Sequence, residues 1–234
     1  MNHEKTLRWE ILSPDFGVYI GGSHGFTQDT LLLAAFSAPK AGEVCGDFGT
    51  GCGTIPILWQ SPRAPKLSFA VELQKEAADM AEASVRRNGL EEKIKVLCRD
   101  IRDYKGFFTH QSLDLVACNP PYKARGAGLT NQDTARRTAR HEESMTPGDI
   151  AKAAAYTLKF GGRICICQRP ERLTDFMLTF RAHGLEPKRL RLVQQNQSAA
   201  PSLFLLEAKR GGKSGLHMEA ALLAESFEGY YRGI

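Results

Sequence analysis

The sequence predicts an α/β fold with a mostly parallel sheet covered by helices on both faces. Two observations predict it. Apolar strand-like runs alternate with helical patterns along most of the 234 residues, and such alternation closes into a parallel sheet wrapped by crossover helices. Three unusual segments, Asp47–Gly53, Glu72–Leu73 and Asn119–Tyr122, also fall at the carboxyl ends of predicted strands. Open parallel sheets bind their ligands at that edge.

The elements follow in order. Apolar positions at Trp9, Ile11, Leu12, Val18, Tyr19 and Ile20 flank turn residues Asp15–Gly17 and read as a hairpin. Thr27 is a good N-cap for the apolar run QDTLLLAAFSA, which Pro39 and Gly42 end. EVCGDFG reads as a buried strand, and a helix opens at Gly53 and runs to Gln60. KLSFAVEL is a strand. QKEAADMAEASVRRNG is a helix rich in good helix formers, closed by Asn88-Gly89. KIKVLCRD and LDLVACNPPY are strands. PGDIAKAAAYTLKF reads as a helix from Pro147 to the pair Gly161-Gly162. GRICICQ is a strand and ERLTDFMLTFRAHG a helix. LEPKRLRLVQ and PSLFLLEAKR, with no helical pattern between them, read as an antiparallel pair at the sheet edge.

Composition is ordinary for a globular protein, with no low-complexity tract. No apolar run is long enough to span a bilayer, and MNHEKTLRWE has no signal-peptide core, so the expected location is cytoplasmic, with no membrane partner. Five of the six cysteines (Cys45, Cys98, Cys118, Cys165, Cys167) sit in strand-like runs and read as small buried hydrophobes. No CxxC pair occurs, and no metal site is expected. The net charge of +5 is mild. Two basic clusters stand out: Lys123, Arg125, Arg136, Arg137 and Arg140, and then Arg181, Lys188, Arg189 and Arg191. Clusters of this kind are usually solvated faces; the first gains meaning if it flanks a reactive site.

Asp47-Phe-Gly49-Thr-Gly51-Cys-Gly53 follows a strand and opens a helix. Glycines there let backbone approach a ligand and adopt positive φ. A dinucleotide fingerprint would place its third glycine at position 54, which is Thr54, and no Gly-Lys-Ser/Thr of a phosphate loop follows. Glu72 ends the next strand, where a carboxylate can accept both hydroxyls of a ribose. Leu73 would then lie against a nucleobase. Asp100, ending the third strand, either accepts from an adenine amino group, with the Ile101 N–H donating to the ring, or caps the following turn.

These residues resemble the nucleoside-binding motifs of class I S-adenosylmethionine (SAM)-dependent methyltransferases. The resemblance runs from about Val44 to Leu206 and implies SAM as cofactor. It also implies a Rossmann-like, seven-stranded sheet whose final strand pair is antiparallel. Residues 1–40 would form a hairpin-and-helix extension packed on a methyltransferase domain of residues 41–234.

Asn119-Pro120-Pro121-Tyr122 ends the fourth strand of the pattern. Two prolines hold the chain extended, so the Pro120 carbonyl cannot join a helix ladder and can point into the cleft as a free acceptor. The Asn119 side chain offers a second acceptor. Two adjacent acceptors suit an –NH2 group, and Tyr122 can stack on a planar substrate. An aryl amine is a poor nucleophile that gains positive charge as it attacks. Acceptors aimed at it stabilise that charge, and in-line positioning supplies the rest. The motif resembles that of amino-methyltransferases acting on adenine N6, guanine N2 or a glutamine amide.

The hairpin, FTQDTLLLAAF, DFGTGCG, NPPYK with its glycine-containing insert, and ARHE together resemble the bacterial tRNA(Val) adenine-37 N6-methyltransferase family. That resemblance implies tRNA as partner and places Phe26 and Thr27 over the methionyl end of SAM; no obligatory protein partner is evident in the sequence. The catalytic set would be Asn119, Pro120, Pro121 and Tyr122. SAM would be held by Phe26, Thr27, Asp47, Gly49, Gly51, Gly53, Glu72, Leu73, Asp100, Ile101 and Asn119. RNA phosphates would meet Lys123, Arg125, Arg136, Arg137 and Arg140. An unpaired anticodon-loop base is cheap to flip out, which fits such a substrate. An rRNA guanine-N2 enzyme, a protein glutamine methyltransferase and a non-catalytic SAM- or RNA-binding protein remain as alternatives.

Overall fold

The computed structural model describes residues 7–22, 24–61, 64–121 and 145–231. Tyr122 and the first basic cluster (Lys123, Arg125, Arg136, Arg137, Arg140) lie outside the described residues.

The chain opens as an antiparallel hairpin of β1 (Arg8–Ile11) and β2 (Gly17–Ile20). Then come α1 (Gln28–Ser37), β3 (Val44–Phe48), α2 (Thr54–Leu58), β4 (Leu67–Glu72), α3 (Lys75–Arg87) and β5 (Ile94–Cys98). A 3-10 turn over Ile101–Gly106 leads to β6 (Leu113–Cys118). The second half holds α4 (Pro147–Thr157), β7 (Leu158–Gln168), α5 (Leu173–Ala182), β8 (Leu185–Gln194) and β9 (Leu203–Arg210). It ends with the two-residue strands β10 (His217–Met218) and β11 (Leu222–Leu223), and α6 (Phe227–Tyr231).

The sheet runs β10-β8-β9-β7-β6-β3-β4-β5, with β11 also on β8. Strand β9 is antiparallel to both β7 and β8; every other pair is parallel. The seven expected strands are present, β3 to β9, and the last two form the expected antiparallel pair. The sheet nevertheless has nine strands, because the short β10 and β11 add to the outer edge of β8.

Side-chain alternation builds the two layers. On β6, Val116 and Cys118 face one core and Leu115 and Ala117 the other; on β7, Ile164 and Ile166 oppose Cys165 and Cys167. The first face is covered by α4 and α5 through Ile150, Ala154, Phe176 and Phe180. The second is covered by α1 and α2 through Leu32, Leu33, Phe36 and Trp59, with Leu222 and Phe227 of the C-terminal segment. Helix α3 packs over β4 through Met80 and Val85, and Val18 of the hairpin joins it.

Two expectations are corrected. The helix expected to reach Phe160 ends at Thr157, and β7 begins at Leu158 and runs through both glycines. Leu158 turns extended because it pairs with Leu113 and buries its side chain completely in the core. Cys98 is exposed rather than buried, because β5 is an edge strand and its last residue faces outward. The other four strand cysteines are buried, as is Cys52.

Candidate active site at the switch point of the sheet

Strand order reverses at β3, which has β4 on one side and β6 on the other. The crevice at such a reversal is open at the carboxyl edge. The glycine loop leaves β3 there, and the Asn119-Pro120-Pro121 loop leaves neighbouring β6. Asp47 pairs with Ala70 and with Ala117, which puts the two loops side by side.

Gly49, Gly51 and Gly53 all have positive φ, at 79°, 59° and 88°. At Gly51 a Cβ would meet nothing within 4 Å among the described residues. Its requirement is therefore conformational, since its φ of 59° favours a residue without a Cβ. Val71 C=O accepts from the N–H groups of Gly49 (2.8 Å) and Thr50 (3.0 Å). These bonds tie the loop to the end of β4.

Glu72 is buried, at 7% exposure. Its Oε2 accepts from Gly51 N–H and its Oε1 from Gln74 N–H, each at 2.9 Å. The carboxylate is thereby fixed, and each oxygen keeps a second lone pair for a hydroxyl. Asp47 is deeper, at 1%. Neither of its oxygens, nor the buried Thr50 Oγ1, has a hydrogen-bond partner among the described residues. Burial pushes the Asp47 carboxyl up to about 7; the nearby Thr50 hydroxyl offsets part of the rise and the Glu72 carboxylate adds to it. Two carboxyl groups, one raised by the other's charge, make a site that favours a cationic ligand.

Asp100 caps the 3-10 turn: its Oδ1 accepts from Arg102 N–H at 2.9 Å, and the Arg102 guanidinium pairs with it. That pairing holds its carboxyl below the usual range. The turn cap expected of Asp100 is thus present. Ile101 is buried and Leu73 is 37% exposed at the edge of the crevice. Phe26 packs partly into the core beside α3, and Thr27 is exposed at the N-cap of α1.

In the reactive loop Asn119 is half-buried, Pro120 buried and Pro121 exposed. Asn119 Nδ2 donates to Thr30 Oγ1 at 3.4 Å, so the first turn of α1 reaches the loop. The Pro120 carbonyl, expected to be a free acceptor, accepts from Gln168 Nε2 at 3.4 Å. The extended proline backbone leaves it outside any ladder, as expected, but a side chain from the end of β7 has taken one lone pair.

The second basic cluster is internally paired. Arg181 meets Glu186, Arg189 meets Glu207 and Glu219, and Arg191 meets Glu219. Lys188 donates to the carbonyls of Lys213 and Gly215.

Thr30, Gln168 and Met145 were not anticipated at the site. Met145 Cε would lie 3.0 Å from a Cβ at Gly49. For Gln168 a signal existed: a single amide closing the apolar run ICIC, on the strand next to β6. Thr30 lies inside a helical pattern and carried no signal of its own.

Comparison with known proteins places the chain in a family. A family model described as the methyltransferase small domain matches residues 22–177, more than half of the chain. The tRNA1(Val) (adenine(37)-N6)-methyltransferase of Tolumonas auensis is 28% identical over 78% of this chain and 75% of its own length. Its Bacteroides fragilis counterpart is 26% identical over 76% and 74%. Among solved structures, a predicted O-methyltransferase from Agrobacterium tumefaciens superposes with a TM-score of 0.68 at 16% identity, covering 87% of this chain and 96% of that one. A geranyl diphosphate C-methyltransferase from Streptomyces coelicolor, solved with S-adenosyl-L-homocysteine, gives 0.58 at 12% identity over 77% and 79%. At these identities the structural likeness shows the shared fold alone.

Proposed function

The chain belongs to the methyltransferase small domain family, and from that premise we propose that it methylates the exocyclic N6 of an adenine in tRNA, near the anticodon, with SAM as methyl donor. One observation carries the proposal: the glycine loop and the Asn119-Pro120-Pro121 loop meet across the β3/β6 switch point. The described part of the crevice fits SAM. Glu72 is fixed to take ribose hydroxyls, Gly51 lacks a Cβ that would hinder close approach, and the buried Asp47 carboxyl suits an ammonium group.

SAM supplies an electrophilic methyl group, so the chain needs no nucleophile of its own. Its task is to hold and orient an amine. The Asn119 amide and the Pro120 carbonyl accept the two N–H bonds, and their dipoles stabilise the positive charge that grows on nitrogen. The prolines keep this geometry extended and prepaid. Tyr122 stacks on the base. The buried Cys118 thiol lies inside the strand, and burial raises its pKa far above the ordinary value. It is unsuited to a nucleophilic role.

The tRNA assignment is supported by the names of relatives that match three quarters of the chain, and by the basic segment after the reactive loop. Transfer of labelled methyl from SAM to purified tRNA, rRNA and protein tests it. Label in tRNA is expected. Label only in protein would replace the substrate with a glutamine amide, and label only in rRNA would favour the guanine-N2 reading.

A further inference from the structure

We propose that Gln168 is a positioning residue for the methyl-accepting nitrogen, acting through the Pro120 carbonyl. The inference rests on the reading of the Asn119-Pro120-Pro121 loop as the element that holds the amine.

Gln168 is the last residue of β7, which pairs in parallel with β6. The pairing of Cys118 with Ile166 brings Gln168 level with Pro120, one strand away. Its side chain is 1% exposed. A buried amide costs stability unless both ends are bonded, and an apolar residue would fill the same volume without that cost. Both ends are bonded here. Oε1 accepts from Arg169 N–H at 2.9 Å, and Nε2 donates to Pro120 C=O at 3.4 Å. A backbone N–H can only donate, so the end of the amide that faces Arg169 must be oxygen. That choice forces the NH2 group toward Pro120 and removes the flip ambiguity of an amide.

Pro120 has its φ set by its ring, and the following Pro121 confines its ψ to the extended region. The remaining swing of the carbonyl is what a single donor can settle. Gln168 takes one lone pair and leaves the other to face the crevice. The bond is long, as catalytic-site bonds often are before the reacting complex tightens them. Donation from Gln168 draws charge from the carbonyl, so the benefit is aim rather than acceptor strength.

Gln168→Met and Gln168→Glu test the proposal, assayed on whichever acceptor the wild-type chain methylates. An acceptor other than tRNA adenine then defeats the proposed substrate without touching this comparison. Gln168→Met is expected to bind SAM as wild type does and to lose kcat by on the order of 100-fold, the scale of an ångström-sized misplacement. In Gln168→Glu the protonated acid can still accept from Arg169 and donate to Pro120, whereas the ionised form cannot donate. Its kcat should therefore approach wild type at low pH and fall as pH rises, while the Met variant shows no such recovery. A packing role predicts equal, pH-independent losses in both variants, and that result would overturn the proposal. So would kcat within about twofold of wild type in Gln168→Met, well short of that misplacement scale. Crystal structures with S-adenosylhomocysteine give a reading that needs no turnover. The Pro120 carbonyl should turn or spread over several orientations in Gln168→Met, and an unmoved carbonyl overturns the proposal.

Discussion

Asp47, next to last in β3, has a carboxyl that burial pushes up to about 7. Its folded pKa lies above the ordinary carboxylate value, so the folded state binds the extra proton. Its contribution to stability is therefore present at low pH and is lost as pH rises from about 4 through 7. Asp47→Asn should flatten that slope in urea unfolding measured across the window. A cationic ligand reverses the preference, since an ammonium group favours the ionised carboxylate. S-adenosylhomocysteine affinity should thus rise with pH through about 7 in wild type and stay flat in Asp47→Asn; calorimetry below the range where an α-amino group loses its proton, about 7.7–8.0, reads this directly. A pH-independent wild-type affinity would remove Asp47 from the site. Asn119→Ala should fold, still bind SAM through the glycine loop and Glu72, and lose most turnover if its amide holds the accepting nitrogen. Near-normal turnover would end the amine-holding account. At this scale the sequence was legible where backbone chemistry is unusual: the glycine loop, Glu72 and the paired prolines could all be located. Gln168 and Thr30 were harder, because they matter through hydrogen bonds to Pro120 and Asn119 that only the strand register and the helix docking create.

At the scale of elements, the N-terminal segment explains why a hairpin belongs beside this sheet. Asn88 at the end of α3 holds Gly17 by both its N–H and its C=O, Ser84 Oγ accepts from Tyr19 N–H at 2.8 Å, and His24 lies 3.9 Å from Glu76 in the first turn of α3. Strand β2 is thus carried along α3 toward the carboxyl edge, so that α1 begins there and Thr30 meets Asn119. Helix α4 restarts the chain on the opposite face with a full capping box. Thr146 Oγ1 accepts from Asp149 N–H at 3.2 Å, and Asp149 Oδ2 accepts from Thr146 N–H at 3.0 Å. Thr146→Ala should cost about 1 kcal/mol in urea unfolding; no measurable loss would mean that packing of Ile150 and Ala154 alone holds the helix start. Helix starts were readable because Thr27 and Pro147 act locally. The end of α4 was not, since the sequence through Phe160 remains compatible with a helix and only the pairing of Leu158 with Leu113 turns it into strand. The short β10 and β11 have too few residues for any period to show; they exist because Glu219 meets Arg189 and Arg191 and Leu222 is buried on the sheet.

For the whole molecule, parallel order was legible because strand–helix alternation admits few other closures. The order reversal at β3 then brought together loops that lie about seventy residues apart in sequence, a consequence of the connection rules for such sheets. Charge is organised at this scale too. The cluster around Arg189 is neutralised by Glu207 and Glu219, whereas the segment holding Arg136 and Arg137 lies outside the described residues and follows the reactive loop in sequence. Replacing Arg136 and Arg137 with Ala should raise KM for tRNA, leave SAM affinity intact and flatten the salt dependence of RNA binding by roughly 0.7–0.9 in slope for each phosphate no longer neutralised. An unchanged slope would make that segment an ordinary solvated surface. No helix among the described residues is long and apolar enough to cross a membrane. The central claim, that an exocyclic adenine amine is held between Asn119 and Pro120, is tested most directly by digesting enzyme-treated tRNA to nucleosides and identifying the labelled one by mass spectrometry. The account predicts N6-methyladenosine, absent from the reaction with Asn119→Ala; label on a ring carbon, a ribose oxygen or guanine N2 would contradict it.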